Sequence, residues 1–110
     1  MRFFIIMSEA ENFHNDYRFR SQILAAAGSI MDNIAEGFER NGNVEFRQFL
    51  SIAKGSAGEV RSQLYRALDF NYIEYQKFIE LKEGYEKLSG KINNFILYLN
   101  KKDFKGTKFQ

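Results

Sequence analysis

Apolar residues recur at helical spacing along three stretches of this chain, with polar residues filling the intervals. The cleanest pattern lies in the C-terminal third. Phe78, Leu81, Tyr85, Leu88, Ile92, Phe95 and Leu99 step by alternate threes and fours, the a/d seam of a heptad pattern. Charged residues separate them, and Glu83 to Lys87 is a favourable i,i+4 pair. Gly84 and Gly90 each cost about 1 kcal/mol against alanine inside a helix, so tertiary packing must hold the element. The pattern predicts a helix over about residues 73–101. A second stripe, Phe46, Phe49 or Leu50, Ala53, Ala57, Val60, Leu64 and Leu68, predicts a helix with Asn43 as N-cap. Glu45 suits the positive end of its dipole, and Asp69-Phe70-Asn71 ends it, Asn71 taking a left-handed or capping role. The third stripe, Phe19, Ile23, Ala26 or Ala27, Ile30, Ile34 and Phe38, predicts a helix over about residues 17–40. Asn41-Gly42 follows as helix-stop chemistry.

The front of the chain is less regular. Phe3, Phe4, Ile5, Ile6 and Met7 call for burial but show no long period; a short helix near residues 2–12 and a turn at His14-Asn15-Asp16 are expected. There is no internal repeat or low-complexity segment. The expected organisation is one domain over residues 1–110: a stub over 1–16, three long helices over 17–100 and a basic tail over 101–110. Short connections make sequence neighbours spatial neighbours, so the expected fold class is all-α, an antiparallel up-and-down helical bundle.

Composition supports that reading. Apolar residues make up 45% of the 110, enough to build one core, and the chain contains no proline, which would break helix interiors. No cysteine is present, which excludes disulfides and thiolate chemistry. The apolar run near Met1 is too short for a secretory core or a bilayer span, so a cytoplasmic protein without membrane contact is expected. The net charge of +2 is uneven: residues 101–110 carry a net +3, and the remainder carries 12 basic and 13 acidic side chains. The body therefore lacks the bulk positive charge of a nucleic-acid-binding protein.

Residues 28–64 carry a resemblance. Ser29-Ile30, Asn33-Ile34-Ala35-Glu36-Gly37, Arg40, Glu45-Phe46, Phe49-Leu50, Ile52-Ala53, Gly55-Ser56 and Glu59 resemble the signature of the small four-helix-bundle proteins, also called 23S rRNA-intervening-sequence proteins or the S23 family. The similarity runs from about Asp16 to Leu99. It implies an up-and-down four-helix bundle and a homopentameric ring. The latter is the assembly of the related accessory protein of diversity-generating retroelements, a basic scaffold for a reverse transcriptase and nucleic acid. The ribosomal name refers to where some of the genes lie. Members of the family usually open with a long amphipathic helix containing a tryptophan. This chain has no tryptophan and only 28 residues before Ser29. A first helix shortened to a stub is expected to leave apolar surface on the other three. Either another chain covers it, the product is degraded, or the true start lies upstream.

Candidate chemistry is sparse. Asn33, Glu36, Ser56 and Glu59 could meet across the first two long helices. They would form either a carboxylate pair for acid–base work or a polar network that fixes register; the network is favoured, since no nucleophile or cation site accompanies the pair. Gly28, Ser29, Gly55, Ser56, Ala57 and Gly58 read as small residues permitting close helix approach, since no strand and no GK[ST] motif makes them a phosphate loop. His14, the sole histidine, reads as a solvated turn residue, and no Glu-x-x-His motif exists. No metal, cofactor or small-molecule substrate is therefore expected. Arg40, Arg47, Lys54 and Arg61 step by seven, which stacks the last three on one outer face of the middle helix, extended by Tyr65 and Arg66. With Lys101 and Lys102 this stripe could contact phosphates or a protein, and a symmetric ring would multiply it. The bland alternative is a solvated charged face, since Glu45 and Glu59 lie near. The expected function is a non-enzymatic homo-oligomeric scaffold. The alternatives are a dedicated RNA- or DNA-binding protein and, less favoured, a small hydrolase using Glu36 and Glu59.

Overall fold

The fold begins with a cap. Asp16 Oδ1 accepts from the Phe19 amide at 3.1 Å, satisfying one of the free N–H groups that open a long helix. In a computed structural model that describes residues 11–108, with side chains for 12–102, this helix is the second of four among the described residues. They are α1 (Glu11–Asn15), α2 (Tyr17–Glu39), α3 (Asn43–Asp69) and α4 (Tyr75–Lys108). There is no strand among the described residues. The all-α bundle with a short first element is the observed fold.

Three boundaries depart from expectation. His14 and Asn15 belong to α1, so only Asp16 links it to α2. Asn43 is the first residue inside α3 rather than its cap. The cap position has φ +136°, left-handed space that glycine enters freely, and Gly42 fills it without a side-chain hydrogen bond. The basic tail is largely helical: α4 continues to Lys108. Nothing from Lys101 to Lys105 breaks a helix, and lysines suit a helix C-terminus. The α3 end matches expectation, with Asn71 at φ 60° in the left-handed region and the Tyr72 amide bonded back to the Ala67 carbonyl at 2.8 Å. The expected stub helix near residues 2–12 lies mostly outside the described residues.

The long helices pack in chain order, α2 on α3 and α3 on α4. Ser29 meets Ser56, and Lys54 meets Asn93, so both pairs run antiparallel. The fully buried residues of α3, Ala53, Ala57, Val60 and Leu64, form the spine of the core. Small side chains occupy the middle of the bundle and aromatic clusters occupy both ends. At one end Phe13 packs edge to face against Phe19 and Tyr72, Phe19 packs edge to face against Phe70, and Phe70 lies tilted against Tyr72. At the other, Phe38, Phe46 and Phe95 touch in series.

Most stripe positions enter the core or border it. Ala26 and Ala27 are both buried, and Leu50 rather than Phe49 enters the core. Phe38 does not join its seam; it is 67% exposed, and Gly37 is buried instead. The expected close approach holds at Ser29, Ser56 and Ala57 but not at Gly28, Gly55 and Gly58. A Cβ on Gly37 would stand 2.8 Å from the Phe46 ring, whereas on Gly28 or Gly55 it would meet nothing within 4 Å. On Gly58 it would meet only the Arg61 guanidinium, at 3.6 Å. Those three glycines point away from the α2–α3 contact, which runs through Ser29, Ser56 and Gly37.

Candidate partner surface

The signature residues of α2 and α3 build a small polar bridge. Asn33 Nδ2 donates to the Ser29 carbonyl at 2.8 Å and lies 2.9 Å from the Ser29 hydroxyl, which in turn sits 2.8 Å from the Ser56 hydroxyl. Asn33 and Ser56 therefore meet through Ser29, a residue of the signature that the sequence analysis reads as a close-packing position. Glu36 and Glu59 do not meet. Glu36 is exposed and pairs with Arg40 at 2.7 Å on its own helix. Ser29 lies opposite Ser56 and Gly37 opposite Phe46 and Phe49, so the exposed Glu59 stands about 15 Å along the bundle from Glu36 at 1.5 Å per residue. The carboxylate pair is not formed. No group of His, Cys, Asp and Glu among the described residues could hold a metal ion.

The heptad of cations is also reassigned. Arg47, Lys54 and Arg61 do share a face of α3, but that face borders α4. Arg47 donates to the Leu99 carbonyl at 3.4 Å, and Lys54 donates to Asn93 Oδ1 at 2.9 Å. Arg61 acts electrostatically on Glu86, which is bonded to Lys82 at 2.9 Å. Lys82 holds the Glu86 carboxyl below its ordinary value, with a smaller contribution from Arg61, and the same bond raises the Lys82 ammonium. Residues at the edge of a helix seam are the ones whose long side chains reach the neighbour. The seven-residue step thus runs along the border of α3 with α4, where Lys54 stays exposed while it bonds Asn93.

The remaining cations divide between the ends. Arg66 lies beside Asp16, Arg18 and Gln22, where a polar cavity of about 370 Å³ opens at the α2 N-terminus. Arg40, at the opposite end, stacks over Phe49 at 5.2 Å in addition to its pair with Glu36. The Lys54–Asn93 register sets exposed Lys101 and Lys102 level with the first turn of α3, near Arg47. Across this same end runs a file of rings from all three long helices. Phe38 is 4.9 Å from Phe46, Phe46 is 5.4 Å from Phe95, and Phe95 is 6.0 Å from Tyr98, centroid to centroid. Its terminal rings are open to solvent. Sequence reasoning missed the file because its members come from three stripes, and only tertiary packing aligns them.

Two buried polar atoms among the described residues, Gln63 Oε1 and Ser89 Oγ, have no hydrogen-bond partner. Gln63 lies on the same row of α3 as Ser56 and Glu59, and Ser89, which sequence reasoning missed, sits one position from the stripe residue Leu88. His14 is exposed as expected, but within α1, its ring 3.2 Å from an Arg20 nitrogen.

Among known proteins, the family model described as 23S rRNA-intervening sequence protein matches residues 3–94. No curated protein and no solved structure matches. No described helix is long and apolar enough to cross a membrane.

Proposed function

We propose that this chain, which belongs to the 23S rRNA-intervening sequence protein family, is a non-enzymatic helical scaffold that self-associates and binds a polyanionic partner through one end of its bundle. The observation that carries the reading is the file of rings Phe38–Phe46–Phe95–Tyr98, with Lys91 beside it and Arg40, Lys101 and Lys102 at the same end of the bundle. Exposed rings favour burial against another surface. Cations beside them favour phosphate contacts, and rings beside cations can stack bases. Association of copies would cover the apolar rings and bring several basic ends together, multiplying a weak contact. RNA is the polyanion to test first, in keeping with the family's description.

The test separates the two parts. Native mass of the purified chain reads association. Binding to a structured RNA, titrated with salt, reads the cations. We expect binding to weaken steeply as salt rises, and Lys101→Glu with Lys102→Glu to abolish it while leaving the melting temperature unchanged. Absence of binding in dilute buffer refutes the RNA partner. A monomeric mass across the concentration range refutes the scaffold.

A further inference from the structure

We infer that the polar cavity between the first turns of α2 and the last turn of α3 is a binding site for a nucleoside 5′-phosphate. At about 370 Å³ it is large enough for a small ligand. Its walls are two pairs of side chains from different helices. Arg18 and Gln22 stand four residues apart on one face of α2, and Arg66 and Phe70 stand four apart at the end of α3. Phe19 ties the two walls together, buried and packed edge to face on Phe70 at 6.0 Å.

The chemistry of the lining selects the ligand. Among the described residues, the side chains of Arg18, Gln22 and Arg66 make no hydrogen bond or ion pair, so their donors are open to an outside acceptor. Asp16 is the one carboxylate in the lining. Both its oxygens are engaged, Oδ1 by the Phe19 amide and Oδ2 by the Tyr72 hydroxyl. The lining therefore carries two positive charges against one negative. The helix end itself contributes nothing, because the Phe19 and Arg20 amides are already bonded to Asp16. A guanidinium presents a planar fork that matches phosphate oxygens. Two of them suit a terminal phosphate, with a charge of about −1.5 to −2 near neutrality, better than a singly charged diester. Phe70 is 48% exposed and offers open ring surface beside the guanidiniums, on which a base can stack. Forks and ring together take a phosphate and a planar base in one small molecule.

The site is independent of the ring-bearing end. Arg66 stands 20 residues beyond Phe46 on α3, about 30 Å at helical rise. A free nucleotide and the 5′ end of an RNA chain share the required chemistry, and calorimetry can separate them. Adenosine 5′-monophosphate is titrated against adenosine. A 5′-phosphorylated RNA dinucleotide, too short to reach the other end of the bundle, is titrated against its 5′-hydroxyl form. The phosphorylated member should bind and its counterpart should not. Binding of the monophosphate alone assigns a free nucleotide, and binding of the dinucleotide assigns a chain end. Arg18→Ala and Arg66→Ala should each weaken that binding by about tenfold or more, as loss of a hydrogen bond to a charged group implies. Both residues are exposed, so the melting temperature should hold. Phe70→Leu should weaken the nucleotide severalfold while inorganic phosphate binds as before. Equal binding of phosphorylated and unphosphorylated members, binding of neither, or unchanged affinity in the folded arginine variants overturns the site. A folded Phe70→Leu protein with the parent's nucleotide affinity overturns the base contact and with it the nucleotide assignment.

Discussion

Asp16 holds two parts of the chain with its two oxygens. Oδ1 caps α2 through the Phe19 amide, while Oδ2 accepts the Tyr72 hydroxyl from the α3–α4 connection at 2.5 Å. The hydroxyl, then the amide, hold this carboxyl below the ordinary carboxylate value, and the same bond raises the Tyr72 phenol. A depressed carboxyl contributes stability that is present above its unfolded value and lost as pH falls through its folded value. A raised phenol contributes below its unfolded value and loses it as pH climbs through the folded one. The contact therefore supports the fold between the carboxylate and tyrosine ranges and fails on either side. Tyr72→Phe should lower the melting temperature near neutrality but converge with the parent protein in acid. A deficit that stays constant from neutral to acid pH refutes this linkage. The glycines give a second residue-scale contrast. Gly37→Ala puts a methyl against the Phe46 ring and the Phe49 Cβ, and should destabilise by about 1–3 kcal/mol through overpacking. Gly55→Ala enters open space in mid-helix, and should stabilise by about 0.5–1 kcal/mol. Denaturant midpoints for the two should move in opposite directions.

The elements join by different means on the two sides of α3. Toward α2 the contact is small and hydroxylic, with Ser29 and Ser56 at its centre. Toward α4 it is long and cationic, through Arg47, Lys54 and Arg61. A part-buried hydroxyl pair contributes about 0.5–1.5 kcal/mol net, and a lone survivor pays its desolvation. Ser29→Ala and Ser56→Ala should therefore each destabilise by about 1 kcal/mol, and the double variant should cost less than their sum. Strict additivity in chemical denaturation would show that the hydroxyls do not interact. This division explains what could be read in advance. Helix existence and most boundaries were legible, because apolar spacing and the Asn41-Gly42 and Asn71 signals are local. The heptad of cations was visible as a pattern, but its direction was not. Whether Lys54 reaches Asn93 from its exposed position depends on how far α3 is rotated beneath α4, which no spacing within α3 records. Glu36 and Glu59 misled for a similar reason: each borders a helix seam, but their positions along the two helices do not coincide.

At the scale of the molecule the ends differ in how their rings are used. The bundle is long and narrow, 59 × 23 × 17 Å, with an alanine-rich waist between two aromatic clusters. Phe13 and Phe19 are buried at one end, 0% and 4% exposed, while Phe38 at the other is 67% exposed. Truncating a buried phenylalanine removes its transfer free energy and leaves a cavity, at about 3–5 kcal/mol. Truncating one that is mostly in water removes little from the fold. Phe13→Ala should therefore strip out much of a small domain's stability. Phe38→Ala should leave the thermal transition near that of the parent. If the exposed file of rings exists to meet another surface, Phe38→Ala should instead lower the native mass or raise the concentration needed to reach it. A Phe38→Ala protein that melts early, with unchanged mass, would make the ring a core residue of the bundle and remove the support for association at this end. Normal melting combined with a reduced mass would separate the two uses of phenylalanine in one chain, one for folding and one for assembly.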